Sequence, residues 1–342
     1  QAFDIDGVLV RGNGLIPGAR ESLADLVEAS VPFAFVTNGG GCTEKEKAME
    51  LSETFGIPVT RDMVVLSHSP MRSLAAEYGD KRVLVLGSGC QRIARDDLGL
   101  RNTVTVEEFA GEWPGIFHFT GDRYYVRREF PQRLSARPAE AVSAVMVLHD
   151  PLDWALEAQV VVDVVRGGSP PGAGGGERTT PMFISNPDFV FAGKYPEPRF
   201  AAGAFAETVK MLYERRFGEP SPPLGVFGKP TGATFDYARA VIECRGHELR
   251  ATHTGGGGGE GEGSGGGGLA HIYMVGDNPS GDVRGANMAG APWVSNLVRT
   301  GVYRGARGTN DPDNPAHFVH EDVRAFVDFV LHREGVRGPS RP

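Results

Sequence analysis

No apolar run in this sequence approaches the roughly 18 residues needed to span a bilayer, so no membrane-crossing helix is expected. Cysteine is scarce. Cys42, Cys90 and Cys244 are scattered and odd in number, which excludes a disulfide framework or a zinc cluster and fits a reducing compartment. There is also no block of basic residues. Lys plus Arg is 35 against 43 Asp plus Glu, for a net charge of −8, which excludes a nucleic-acid or anionic-lipid binder as the first reading. A complete dinucleotide fingerprint is missing too. Gly12-Asn13-Gly14 is the nearest run, but it lacks the third glycine and does not directly follow the first strand.

Glycine is plentiful. The chain has 342 residues, enough for two domains or one domain with a large insert. Its 48 glycines are about twice the usual share. From Gly255 to Gly268, 11 of 14 residues are Gly, and Gly167 to Gly176 holds six Gly and two Pro. Neither stretch has side chains to bury, so both are expected to be flexible insertions. The chain opens Gln1-Ala2-Phe3-Asp4 without a methionine. A strand ending at Phe3 to Ile5 would have little chain before it, so residues are expected to have been removed upstream, by targeting cleavage or by trimming.

Short β-rich runs alternate with helical stretches. Strands are expected at 2–5, 33–37, 82–86, 144–148, 225–228, 271–275 and 293–295. Amphipathic or capped helices are expected at 17–29, from Thr43 (with Glu46 completing a capping box), and at 153–165, 201–217, 231–244, 279–289 and 321–332. Unbroken apolar strands separated by helices predict a parallel sheet covered on both faces, with chemistry at the carboxyl ends of the strands.

Four strand ends carry loaded residues: Asp4-Ile5-Asp6-Gly7, Thr37-Asn38-Gly39-Gly40, Lys229-Pro230, and Gly276-Asp277 with Asp282 five residues further on. On an extended chain Asp4 and Asp6 share a side. Carboxylates held that close repel unless a cation joins them or one is protonated. An oxygen-rich set with Asp277 on a neighbouring strand suits Mg²⁺, and a lysine would offset the charge. Thr37, Asn38 and Gly39 offer hydroxyl and backbone N–H donors near a helix start, a place for a phosphate oxygen. Taken alone, each motif is an ordinary turn. Their placement after strands in one alternating pattern is what points to a site. His68, His118 and His149 have no ligand spacing and read as core or surface residues. Cys42, which follows the Gly run, reads as a buried thiol.

In this order, the motifs resemble those of the haloacid dehalogenase superfamily of phosphotransferases. Val36-Thr37-Asn38-Gly39-Gly40, Ser185-Asn186-Pro187-Asp188 and Gly228-Lys229-Pro230 resemble its class IIA, C2-capped branch. The segments Phe3-Asp4-Ile5-Asp6-Gly7-Val8-Leu9 and 276–287 are most similar to the cat-eye-syndrome critical-region type of mitochondrial hydrolases. The resemblance implies an α/β, Rossmann-like core at 1–80 and 200–342, an inserted α/β cap of C2 type at 81–199, and a flexible 255–268 loop within the core. Thr37 and Lys229 lie 192 residues apart, which leaves room for such an insert.

The resemblance also implies a mechanism. Asp4 is the nucleophile, forming an aspartyl-phosphate. Asp6 is the acid and base, Thr37 holds the phosphoryl group, and Lys229 neutralises charge and holds Asp4. Mg²⁺ sits on Asp4, the Asp6 carbonyl and Asp277, with Asp282 in support. The expected activity is Mg²⁺-dependent hydrolysis of a small phosphorylated metabolite. A catalytically weak member that binds a metabolite or protein is the alternative. Phe189, Lys194, Tyr195 and Arg199 are the candidate substrate residues, against a reading in which Phe189 and Phe191 are core and the cations solvated. The branch also implies a homodimer through the cap and a mitochondrial location, with the cytoplasm as the alternative.

Overall fold

The computed structural model describes residues 1–12, 14–113, 115–118, 140–174, 179–191, 195, 197–253 and 269–336. The Gly255–Gly268 tract and Lys194 lie outside the described residues. The chain divides into two compact units. One comprises 1–37, 44–66 and 229–342, and the other 38–43 and 67–228.

The first unit is built on a six-stranded sheet. Its order is Phe318–His320, Trp293–Val298, Ile272–Gly276, Ala2–Phe3, Ala34–Val36, Val64–Val65, with every pairing parallel. Alternation along each strand sends side chains to both faces. Ala2, Ala34, Val36, Ile272 and Met274 pack with Phe235, Ala238, Ile242 and Ala286 from the helices Gly232–His253 and Arg284–Ala289. On the other face Phe3 meets Phe33 and Phe326 edge to face, and Phe35 stacks on Phe55. Phe55 and Phe326 come from the helices Glu44–Phe55 and Val323–Arg333.

The second unit has its own five-stranded parallel sheet. Its order is Leu224–Val226, Met182–Ile184, Ala144–Val147, Val83–Leu86, Thr103–Thr105. Leu84, Leu86, Val145, Val147 and Ile184 pack with Val106–Glu112, Trp154–Arg166 and Ala202–Phe217. Val83, Val85, Ala144, Met146 and Leu148 turn the other way, toward Met71, Tyr78, Ile93 and Leu98.

Three expectations change. The strand before Lys229 pairs with Met182–Ile184, so it belongs to the second sheet and not to the sheet that carries Asp4 and Asp277. The second unit is wider than 81–199 at both ends, because the turns at 69–78, the helix Ala202–Phe217 and the strand Leu224–Val226 all contribute to its core or sheet. Of residues 167–176, read as flexible from their glycines, 167–174 instead form a hydrogen-bonded turn closing Trp154–Arg166, and 175–176 lie outside the described residues. The N–H groups of Gly172 and Gly174 donate to the Gly167 carbonyl, and that of Ala173 to Pro170.

Candidate active site

Asp4 directly follows the short strand Ala2–Phe3, and its N–H donates to the Val275 carbonyl of the neighbouring strand. Asp277 directly follows Ile272–Gly276, so strand pairing places the two carboxylates side by side. Asp282 comes from the turn Pro279–Val283, where its Oδ2 accepts the Asn278 N–H at 3.0 Å. Asp4, Asp277 and Asp282 are all buried, and one carboxylate oxygen of each lies within 4.8 Å of those of the other two.

Lys229 answers this charge. Its buried Nζ lies 2.9 Å from Asp4 Oδ1 and 2.6 Å from Asp282 Oδ1, and donates to the Val36 carbonyl at 2.9 Å. Burial alone would lower the lysine's pKa, but the Asp282 and Asp4 carboxylates outweigh it and raise it. One cation among three acids is not enough. Burial, then the charges of Asp4 and Asp282, push Asp277 up to about 8. Burial also raises Asp282 to about 6, against the pull of Lys229. Acids this reluctant to ionise, gathered within reach of one ion, fit a hard divalent cation, and their oxygen-only donor set suits Mg²⁺.

Asp6 lies elsewhere than expected. The chain does not stay extended beyond Asp4. The N–H groups of Leu9 and Val10 both donate to Ile5, and that of Gly7 donates to Val10, so 5–10 is a turn. Asp6 is exposed on it, and its carboxylate is not part of the three-acid group. Its pKa is raised by loss of water contact and then by the Asp4 charge, against Lys47 and Lys229. Thr37 is buried at the end of Ala34–Val36, with its N–H on the Val65 carbonyl.

Sequence reasoning missed the loop after Trp293–Val298. Val302 donates its N–H to Asp277 Oδ2 at 2.5 Å, Tyr303 donates to the Asp277 carbonyl, and the Thr300 hydroxyl donates to the Gly7 carbonyl. A methyl group at Gly301 would stand 1.9 Å from Asp277 Oδ2, and one at Gly7 (φ +80°) 2.3 Å from it, so glycines cradle this carboxylate from two sides. The available signal was the strand itself. It runs to Val298 rather than Ser295, which brings Thr300-Gly301 to a strand end. Lys47 on Glu44–Phe55, which bears on Asp6, was also not foreseen.

The remaining candidates lie in the second unit. Asn38 donates its side-chain amide to Asp188 Oδ2 at 3.1 Å. Phe189, Tyr195 and Arg199 are exposed at or near the hairpin of Val190–Phe191 with Arg199–Phe200. Phe189 meets Phe200 edge to face at 5.8 Å, and the Arg199 guanidinium lies 4.5 Å over the Tyr195 ring. Phe189 and Phe191 are therefore not core. His68 is a buried core residue, with Nε2 2.9 Å from Asp97 Oδ2, and His118 is exposed. No cysteine of the chain is in a disulfide.

A family model described as haloacid dehalogenase-like hydrolase matches residues 1–101, and one described as HAD-hydrolase-like matches 226–326. The chain is 31% identical over 311 residues to a mitochondrial hydrolase of Saccharomyces cerevisiae, covering 88% of this chain and 87% of the relative. It is 32% identical to a cardiolipin synthase and mitochondrial hydrolase fusion protein of Schizosaccharomyces pombe, covering 97% of this chain and 53% of that one. The fold is similar to a glycerol phosphate phosphatase of Mycobacterium tuberculosis solved with magnesium. The TM-score is 0.58 at 20% identity, over 95% of this chain and 75% of that chain.

Proposed function

Because the chain belongs to the haloacid dehalogenase-like hydrolase family, we propose that it hydrolyses a small phosphate monoester with Asp4 as nucleophile. The observation that carries this reading is the buried contact of Lys229 with Asp4 and Asp282 beside Asp277. A carboxylate attacks phosphorus readily only if it is fixed and its charge is compensated. Asp4 meets both conditions, since its Oδ1 accepts the Ile5 N–H at 2.9 Å and pairs with the Lys229 ammonium.

The ester oxygen leaves as an alkoxide and takes a proton from Asp6, whose raised pKa keeps that proton available nearer neutral pH. Asp6 then takes a proton from the water that cleaves the aspartyl-phosphate, releasing inorganic phosphate and restoring Asp4. Thr37 donates to the transferring phosphoryl group, and Asn38 and Gly39, next in the chain, are its proposed backbone donors. Asp4, the Asp6 carbonyl and Asp277 would hold Mg²⁺, with Asp282 beside them. When bound, the ion supplies electrostatic stabilisation of the phosphoryl oxygens.

Phe189, Lys194, Tyr195 and Arg199 are the proposed contacts for the organic part of the substrate, and the second unit is the proposed cap. Two curated relatives are named as a mitochondrial hydrolase and a fusion protein with a mitochondrial hydrolase, which supports a mitochondrial location. The test is hydrolysis of p-nitrophenyl phosphate with Mg²⁺, comparing the wild type with Asp4→Asn. Activity confined to the wild type supports the reading, and equal rates overturn it.

A further inference from the structure

Two segments of the first unit close on Asp277, and one side chain ties them together. The loop after Trp293–Val298 is the first. Its Val302 N–H donates to Asp277 Oδ2 at 2.5 Å, and its Tyr303 N–H to the Asp277 carbonyl at 3.0 Å. The turn 5–10 is the second. Gly7 takes φ +80° there, and the Asp277 carboxylate fills the place where a side chain would begin. The tie is the Thr300 hydroxyl, which donates to the Gly7 carbonyl across 293 residues of chain.

This bond runs from a braced segment to an unbraced one. Arg299, next to Thr300, donates Nε and Nη2 to the Gly305 carbonyl at 3.1 and 2.6 Å, and Nη1 to Glu321 Oε2 at 2.8 Å, so the loop is closed at its base. The turn is held differently. The N–H groups of Gly7, Leu9 and Val10 donate within it, and the Ile16 N–H donates to the Leu9 carbonyl from the hairpin that follows. Those bonds set the turn's shape and not its place. Among the described residues, the bond from Thr300 is the one hydrogen bond that the turn makes outside 1–16.

We infer that Thr300 is a positioning residue: its hydroxyl pins the Gly7 carbonyl and so fixes where the neighbouring Asp6 stands as acid and base. The inference rests on the phosphatase reading for its catalytic meaning. Asp6 is exposed, so its place is set by the backbone of the turn and not by packing around its own side chain. Proton transfer needs the acid within hydrogen-bond reach of the leaving oxygen, and a 1 Å misplacement can cost about 100-fold. Thr300 acts only through the turn.

The experiment measures kcat/KM with Mg²⁺ for phenyl phosphate and p-nitrophenyl phosphate in the wild type, Thr300→Val and Thr300→Ser. The two esters differ in how much the leaving oxygen needs a proton. Nitrophenolate departs readily without one, and phenolate does not. Because kcat/KM covers the steps up to release of the phenol, the later role of Asp6 as base does not enter it. Thr300→Val removes the hydroxyl at nearly equal size. The rate on phenyl phosphate relative to p-nitrophenyl phosphate is expected to fall about 10-fold, part of the roughly 100-fold or more that a placed acid supplies. Thr300→Ser keeps the donor and is expected to restore the ratio. Thr300→Ala serves if Thr300→Val does not fold.

A purely structural role would lower both rates by one factor, along with the melting temperature, and an unchanged ratio overturns the proposal. A serine variant whose ratio falls as far as that of the valine variant overturns it too, since the hydroxyl would then not be the cause. If the wild type hydrolyses neither ester, the phosphatase reading fails on its own. The pin is then read by hydrogen exchange at the Leu9 and Val10 amides, where faster exchange in Thr300→Val supports it and unchanged exchange overturns it.

Discussion

Three buried acids sharing one lysine make the metal-free protein sensitive to alkali in a way that Mg²⁺ should reverse. Asp277 has its pKa raised in the folded state to about 8, against an ordinary 3.8, so the folded state holds the proton more tightly than the unfolded one. Its contribution is fully present below about pH 4 and is lost as pH climbs through 8. Asp282 behaves alike, with its loss complete near pH 6. At about 1.4 kcal/mol per pKa unit, the Asp277 shift has a ceiling of roughly 6 kcal/mol. Burial is the first cause and repulsion from Asp4 and Asp282 the next, and that repulsion is shared with its partners, so roughly half the ceiling, about 3 kcal/mol, is assigned to Asp277. That corresponds to a fall of about 6–12 °C in melting temperature between pH 5 and 8 for a unit of this size. The assay is thermal melting across that range in chelator and in Mg²⁺. The ion should restore about 2.7 kcal/mol at a hundredfold excess over its dissociation constant. Asp277→Asn should flatten the slope above pH 6 and lose the Mg²⁺ response. A melting temperature indifferent to pH in chelator, or an unchanged slope in Asp277→Asn, would refute the reasoning.

Other perturbations give separate readouts. Gly301→Ala pushes a methyl into Asp277 Oδ2 and should lower kcat by about 100-fold while the circular dichroism spectrum stays native. Lys229→Met leaves two buried carboxylates without their cation and should cost about 3–5 kcal/mol in denaturant titrations at pH 8. His320, lowered by burial to about 4 despite Asp322, is neutral in the fold, so stability drops as pH falls from about 6.5 toward 4. His320→Phe should remove that acid limb, seen as a flatter melting profile below pH 6. Trp293→Ala, which empties the edge-to-face contact with Phe235 at 5.0 Å, should cost about 3–5 kcal/mol by urea titration.

Much of the fold and the candidate site was legible in the chain. Asp4, Thr37 and Asp277 could be picked out because each follows a run such as Ala34–Val36 or Ile272–Gly276, and a buried strand must read as unbroken apolar residues. The helix Trp154–Arg166 was visible from its periodicity. The turn at Gly167–Gly174 was misread because glycine content reports freedom in the unfolded chain and not the hydrogen bonds that remove it. The strand Leu224–Val226 was assigned to the wrong sheet because periodicity identifies a strand without naming its neighbours. Thr300, Gly301 and Val302 escaped notice because a backbone N–H carries no sequence signature.

By itself, then, the sequence determined which residues could carry charge to the strand ends, since local patterning follows from side-chain chemistry alone. Only the tertiary structure decided which of them meet. Whether Lys229 reaches Asp4 and Asp282, and whether Asp6 stands apart on a turn, depend on contacts between segments distant in the chain or on a bend in the backbone. Such contacts are fixed by the packing of whole sheets and helices, which no local pattern encodes.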